Sequence, residues 1–175
     1  MSTNLTPQRA EDHETVMHEI ILSQHANQLG TLFGGTMMSW VDICAAITAQ
    51  RYSSGEVVTA AVDGMDFLAP PKLGDVVRLK ARVTWTGNTS MEVRVIADII
   101  HYRSRSEERA TECYITFVAV DGEGRPRPIP ALEPQNERER LAFEAGRERK
   151  AHRIEQRRRQ REQLRALKAG ETKNA

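Results

Sequence analysis

Residues 27–42 read Asn27-Gln28-Leu29-Gly30-Thr31-Leu32-Phe33-Gly34-Gly35-Thr36-Met37-Met38-Ser39-Trp40-Val41-Asp42. A Gly-Gly pair opens a run in which Met37, Met38, Trp40, Val41, Ile43, Cys44 and Ile47 cover most of a helical circumference. The run predicts a helix over Thr36–Gln50 that is buried on nearly every side, because a helix apolar all round has no face to offer water. Ser53-Ser54-Gly55 supplies its stop. One carboxylate, Asp42, lies inside it. A charge on such a helix is expensive to bury unless it is paired or used, so Asp42 reads either as a satisfied structural carboxylate or as a reacting group. Asn27, at the loop entrance, reads either as a loop or cap residue or as an amide aimed at the same place. The glycines read either as a tight turn or as a point of close backbone approach.

On either side the signals are those of strands. Residues 1–14 are polar and are expected to be loose, and Val16–Leu22 is a strand candidate. Residues 23–34 form a loop. Val57–Phe67 is β-rich and closes at Ala69-Pro70-Pro71. Val77, Leu79, Ala81, Val83 and Trp85 alternate with Arg78, Lys80, Arg82 and Thr84, which predicts one buried and one wet face. Gly87-Asn88 turns the chain. Met91, Val93, Val95, Ala97 and Ile99 then alternate likewise, and Glu112–Val120 ends at Asp121-Gly122. One strand, one buried helix and four turn-linked strands predict an α+β domain, an antiparallel sheet curved around the helix. Its sheet edges leave room for a second subunit, so a homo-oligomer is expected.

The chain divides near residue 135. Of its 175 residues, the last forty hold 13 Lys and Arg against 7 Asp and Glu, whereas the first 135 hold 12 against 17. The proline-rich stretch 122–134 separates the two. The reading is a domain over 12–135 and a charged helical C-terminal extension over 136–175. Its helix, at roughly 137–169, is held by Glu/Arg pairs three and four residues apart. Leu141, Ile154, Leu164 and Leu167 are too sparse for a long coiled-coil seam. No apolar stretch is long enough to span a bilayer, and the N-terminus lacks a signal-peptide core. Cys44 and Cys113 lie in apolar segments and read as reduced, packed side chains of a cytoplasmic protein. The histidines show no metal-ligand spacing, so no metal is assigned. A Gly-x-Ser-x-Gly elbow is missing, which argues against a serine hydrolase.

The run Asn27…Gly30…Phe33-Gly34-Gly35…Met38…Asp42 is followed by Val58-Thr59-Ala60, Val62-Asp63, Met65-Asp66-Phe67, Pro70 and Gly74-Asp75. Thr86-Gly87-Asn88-Thr89-Ser90-Met91-Glu92-Val93 and the stretch Gly124–Pro134 continue the series. In this order and spacing the motifs resemble the acyl-CoA hydrolase branch of the hotdog-fold thioesterases, over about residues 12–150. The resemblance implies a hotdog fold, a helix wrapped by an antiparallel sheet. It implies dimers with active sites at the subunit interface, often assembled as trimers of dimers. It also implies catalytic roles for Asn27 and Asp42, and substrate contacts at Gly34, Gly35 and Ser90. A relative with two hotdog repeats takes the asparagine from one and the aspartate from the other. A single repeat carrying both would form two equivalent sites per dimer, Asn27 of one subunit facing Asp42 of the other.

A thioester asks for little: an activated water and a group that holds the developing oxyanion. Asp42 is expected to serve as general base, with direct nucleophilic attack through an anhydride the less favoured variant. Partial burial among Met38, Trp40 and Ile43 is expected to strengthen it as a base. Asn27 would orient water or thioester, and the Gly35 N–H at the helix N-terminus would polarise the carbonyl. His25 is expected to be structural or peripheral. Coenzyme A is part of substrate and product, so no cofactor is expected. Its phosphates call for basic side chains at the entrance, and Lys72, Arg78, Lys80, Arg103 and Arg105 are available. Two rivals stand beside hydrolysis. One is a hotdog hydratase or dehydratase, whose Asp-His pair is not evident. The other is a non-enzymatic acyl-CoA sensor whose Arg-rich tail binds nucleic acid or an anionic membrane. The glutamates interleaved through the tail argue against it, so no nucleic-acid partner is expected.

Overall fold

The computed structural model describes residues 5–171, with side chains through residue 165. Residues 1–4 and the side chain of Leu167 lie outside that range. Strand β1 (Thr15–Ile20) leads into helix α1 (Gly34–Ser53). Strands β2 (Val57–Val62), β3 (Val76–Thr86), β4 (Ser90–Ile100) and β5 (Glu107–Ala119) follow, and helix α2 (Glu137–Glu171) closes the described chain. The five strands make one sheet in the order β1-β3-β4-β5-β2, antiparallel at every junction. The architecture is the α+β arrangement that the pattern predicts and the hotdog fold that the resemblance implies, with α1 cradled on the inner face of the sheet.

Helix α1 begins at the glycine pair, with Phe33 as its N-cap residue, and its C-cap residue Ser54 adopts the left-handed region (φ 54°). Its apolar circumference divides into two stripes. Met37, Trp40, Val41, Cys44, Ala45, Thr48, Ala49 and Tyr52 are buried, the Cys44, Ala45 and Ala49 side chains completely. They meet Val77, Leu79, Ala81, Val83, Met91, Val93, Val95 and Ile115, the inward residues of the sheet. The opposite stripe is open in the single chain. Met38 is 50%, Ile43 46% and Ile47 36% exposed. The helix is therefore buried on one side by its own sheet, not on nearly every side as its composition predicts.

A bulge decides the far end of β3. Val83 pairs with Val93, but Trp85 pairs with Glu92, so Thr84 is the extra residue. One extra residue moves everything after it to the other face. Trp85, expected inward with Val83, turns outward, where it packs 6.5 Å from Phe143 of α2 and lies under the Lys150 ammonium at 4.4 Å. Glu92 follows it outward and is fully buried beneath α2. There Arg149 grips its carboxylate with two hydrogen bonds of 3.0 and 2.7 Å, and Thr84 Oγ1 donates a third at 2.8 Å. Helix α2 thus lies across the outer face of the sheet. Its first turns meet β3 through Glu139 and Arg82 at 2.6 Å, and its later turns reach β5 and β2.

Three further boundaries differ from the sequence pattern. β2 stops at Val62 instead of Phe67: residues 63–69 leave the sheet, held by Asp63 N–H to Tyr114 O and Leu68 N–H to Ala110 O. β5 begins at Glu107 instead of Glu112, because β4 pairs with it down to Ile100. The described part of the N-terminal segment is not loose. Gln8 bridges Leu132, Ala10 is buried, and Glu11–His13 forms a 3-10 turn.

Candidate active site

The start of α1 is an unblocked N-terminus. Its N-cap residue is Phe33, whose side chain cannot accept a hydrogen bond, and no side chain caps the end. The N–H groups of Gly34 and Gly35 have no preceding turn to donate to, so they point outward with the positive end of the helix dipole. A Cβ at either position would meet an aromatic ring, in ordinary contact at Gly34 and in collision at Gly35. The Phe67 ring lies over Gly34, and a Cβ on Gly35 would come within 2.6 Å of the Phe33 ring. Glycine keeps the backbone reachable here.

Asp42 lies two turns further along, about 12 Å up the axis from Gly34. Gly35, Met38 and Asp42 fall at helical spacings on one face, the open stripe of α1. Asp42 is half-buried. Its Oδ1 accepts a hydrogen bond of 3.0 Å from Thr59 Oγ1 on β2. That bond leaves Oδ2 unencumbered, fixes the carboxylate's plane, and joins the helix to the edge strand of the sheet.

Asn27 organises its own loop. Its Oδ1 accepts from the N–H groups of Leu29 (2.9 Å) and Thr31 (3.3 Å), while Nδ2 donates to Thr31 Oγ1 at 2.8 Å. An amide has two N–H bonds, so one remains for a ligand on a side chain locked by the other three contacts. The loop is itself anchored, with Leu32 N–H on Pro71 O (2.8 Å) and Phe33 N–H on His25 O (2.9 Å). His25 works as a strut. Its Nδ1 accepts from Leu22 N–H at 3.3 Å, and its ring meets Trp40 edge-on at 5.2 Å.

Within one chain, then, Gly34, Gly35 and Asp42 share the helix face, and no hydrogen bond joins Asn27 to Asp42. Ser90 lies elsewhere. Alternating with the buried Met91, it faces the outer side of the sheet, where its Oγ nears Gly87 and, past it, Lys150. The basic candidates are dispersed: Arg78 bridges Asp98 and Glu107. Lys80 lines an outer-face cavity of about 460 Å³ with Arg82, Arg94 and Arg109. Sequence reasoning missed Thr59 and Phe67. A hydroxyl in the apolar run Val57-Val58-Thr59-Ala60-Ala61-Val62 was the available signal. Among the described residues no three His, Cys, Asp or Glu side chains gather as a metal site, and no helix is long and apolar enough to cross a membrane.

Comparison with known proteins adds the family. Residues 29–98 match the model of the thioesterase superfamily. The chain is 43% identical to YkhA of Bacillus subtilis, an uncharacterized acyl-CoA thioester hydrolase, over 65% of this chain and 66% of that one. It is 38% identical to the acyl-CoA thioester hydrolase YciA of Escherichia coli, over 67% of this chain and 91% of YciA. It is 37% identical to the mouse cytosolic acyl coenzyme A thioester hydrolase, of which it spans only 31%. Among solved structures, an acyl-CoA hydrolase from Staphylococcus aureus in complex with butyryl coenzyme A, coenzyme A and coenzyme A disulfide superposes with a TM-score of 0.82. It is 32% identical, over 91% of this chain and 98% of that one. Variants of that hydrolase with an asparagine, an aspartate or a threonine replaced by alanine superpose equally well, with TM-scores of 0.81 to 0.85. An apo hexameric acyl-CoA thioesterase, 36% identical, matches with a TM-score of 0.83 over 86% of this chain and 97% of that one.

Proposed function

The chain belongs to the thioesterase superfamily, and from that premise we propose that it hydrolyses fatty acyl-CoA to free fatty acid and coenzyme A. The observation that carries the reading is an uncapped helix N-terminus at two glycines beside the anchored Asn27 loop, with a carboxylate two turns further along the same helix steadied by Thr59 at 3.0 Å. Asp42 removes a proton from water as the water attacks the thioester carbonyl. The Gly34 and Gly35 N–H groups of the facing subunit, next to that subunit's Asn27 loop, receive the charge that moves to the carbonyl oxygen. Asn27 uses its remaining N–H to hold the water or the thioester. The coenzyme A thiolate then departs without needing a strong acid. The asparagine, aspartate and threonine varied in the Staphylococcus aureus hydrolase are the same residue types as Asn27, Asp42 and Thr59, which supports the assignment. Carboxylate, amide, backbone dipoles and water complete this chemistry with no cofactor.

The site is shared. Asn27 and Asp42 do not meet within a chain, and the open stripe of Met38, Ile43 and Ile47 flanks Asp42. An apolar patch of this kind marks an interface. A second subunit laid on that stripe brings its own Asn27 loop to Asp42. The hexameric neighbour supports assembly of such dimers into a larger homo-oligomer. The free, buried thiols of Cys44 and Cys113, pushed up by burial to about 11 and about 12, support a reducing compartment such as the cytoplasm. Arg149, Arg153 and Arg157 are spent on the sheet, which favours a structural use of that part of the tail over nucleic-acid binding.

Thiol release from acyl-CoAs of two to eighteen carbons tests the reading. Asp42→Asn is expected to lower kcat by about a hundredfold to ten-thousandfold, the span of a positioned base. Asn27→Ala is expected to lose about a hundredfold, as for one lost oxyanion donor. Near wild-type turnover by both folded variants would remove the assignment.

A further inference from the structure

Within the single chain, strand β2 is one of the two edges of the sheet, with β5 as its neighbour. It also carries a bulge. Thr59 pairs with Phe117 and Ala61 with Thr116, so Ala60 is the extra residue and its carbonyl falls outside the ladder. A bulged edge strand is the least constrained part of a sheet. Yet Thr59, at the bulge, must hold its hydroxyl 3.0 Å from Asp42.

What fixes the bulge comes from the other side of the sheet. Three arginines on α2, at positions 149, 153 and 157, recur every fourth residue and so share one helix face. Arg149 takes the buried Glu92 of β4, with its guanidinium 3.7 Å from the centre of the Tyr114 ring on β5. Arg153, one turn on, pairs with Asp63 immediately after β2 and stands 3.6 Å from Glu92. Arg157, one turn further, donates from Nη2 to the freed carbonyl of Ala60 at 3.2 Å. The first rung is anchored in the middle of the sheet. The next two hold β2 on both sides of Val62.

We propose that Arg157, supported by Arg153, is a positioning residue for hydrolysis. Its hold on the Ala60 carbonyl sets the bulge that aims Thr59 at Asp42. The inference rests on the proposed thioesterase reading, since Asp42 is the group being positioned. Both arginines lie on the outer face, with the strand between them and the carboxylate. The tail thereby acts on the chemistry from behind the sheet, through one backbone carbonyl and one hydroxyl.

The experiment is a double-mutant cycle on the intact chain, measured with the best substrate of the acyl-CoA panel. Arg157 is itself exposed, at the far end of the sheet-facing row of α2, so Arg157→Ala is expected to fold normally. It should lower kcat about threefold to tenfold, the effect of one lost hydrogen bond, with KM nearly unchanged. Arg157→Lys, which restores a donor, should recover most of that loss. Thr59→Ala should lower kcat at least as far, and the Thr59→Ala, Arg157→Ala double variant should match Thr59→Ala alone, because both act through one bond. A role limited to stability would instead leave the kcat of the folded Arg157→Ala chain at the wild-type value, and an effect on turnover independent of Thr59 would make the two losses multiply. Multiplying losses, or wild-type kcat for Arg157→Ala beside an impaired Thr59→Ala, overturns the positioning role and leaves the thioesterase reading standing. A wild-type chain that hydrolyses no member of the panel overturns both.

Discussion

At the scale of single residues, the site depends on side chains that hold themselves still. Asn27 uses three hydrogen bonds to fix its own loop and keeps one N–H. Asn27→Asp separates those duties. A carboxylate still accepts from Leu29 and Thr31 N–H, and Thr31 Oγ1 can turn to donate to it, so the loop is preserved while the donor is lost. Thermal stability is expected to stay within about 0.5 kcal/mol of wild type while kcat falls about a hundredfold. A large loss of stability would instead make Asn27 a loop residue first. Asp42 was legible in the sequence because a charge on an apolar helix is conspicuous. Thr59 was not, because a threonine in a strand is ordinary and only the bulge at Ala60 turns it to use. Trp85 misled for a related reason: alternation cannot register an inserted residue, so the tryptophan reads inward and lies outward.

Elements are where pattern and packing diverge further. The inner faces of β3 and β4 follow from periodicity and the antiparallel pairing from the turns between strands, whereas α1, apolar all round, gives no sign of which stripe its own sheet covers. Helix α2 was legible as a helix but not in its purpose. Its glutamates stand at intrahelical spacing from its arginines, a pattern that a solvated helix satisfies by itself. Arg149, Arg153 and Arg157 instead find partners on the sheet. Gly146 held the missing signal, since glycine inside a helix costs about 1 kcal/mol relative to alanine. It is buried, and a Cβ there would lie 2.6 Å from Trp85 Cβ and 2.9 Å from Glu92 Oε1. Gly146→Ala should therefore run against helix propensity. The collision at Trp85 cannot be relieved by swinging a flexible end, so urea unfolding is expected to show a net loss of about 1–2 kcal/mol. A gain would mean that α2 rides higher on the sheet.

For the whole molecule, the shared site proposed above makes the subunit pairing part of the active site. Asn27→Ala and Asp42→Asn chains are each expected to be inactive. Mixed and allowed to exchange, they form heterodimers in which one of the two sites combines an intact Asn27 with an intact Asp42. Random pairing then restores about a quarter of wild-type activity, because half of the dimers are mixed. No recovery despite demonstrated subunit exchange would place both residues in one chain's site. The position of Glu92 also sets a chronology. During synthesis Glu92 emerges 57 residues before Arg149, and a carboxylate buried without its partner costs about 3–5 kcal/mol. The outer face of the sheet therefore cannot dry out while the ribosome is still adding the tail. The arginines of α2 act as a completion check: a nascent chain interrupted before residue 149 keeps a wet, unsealed sheet.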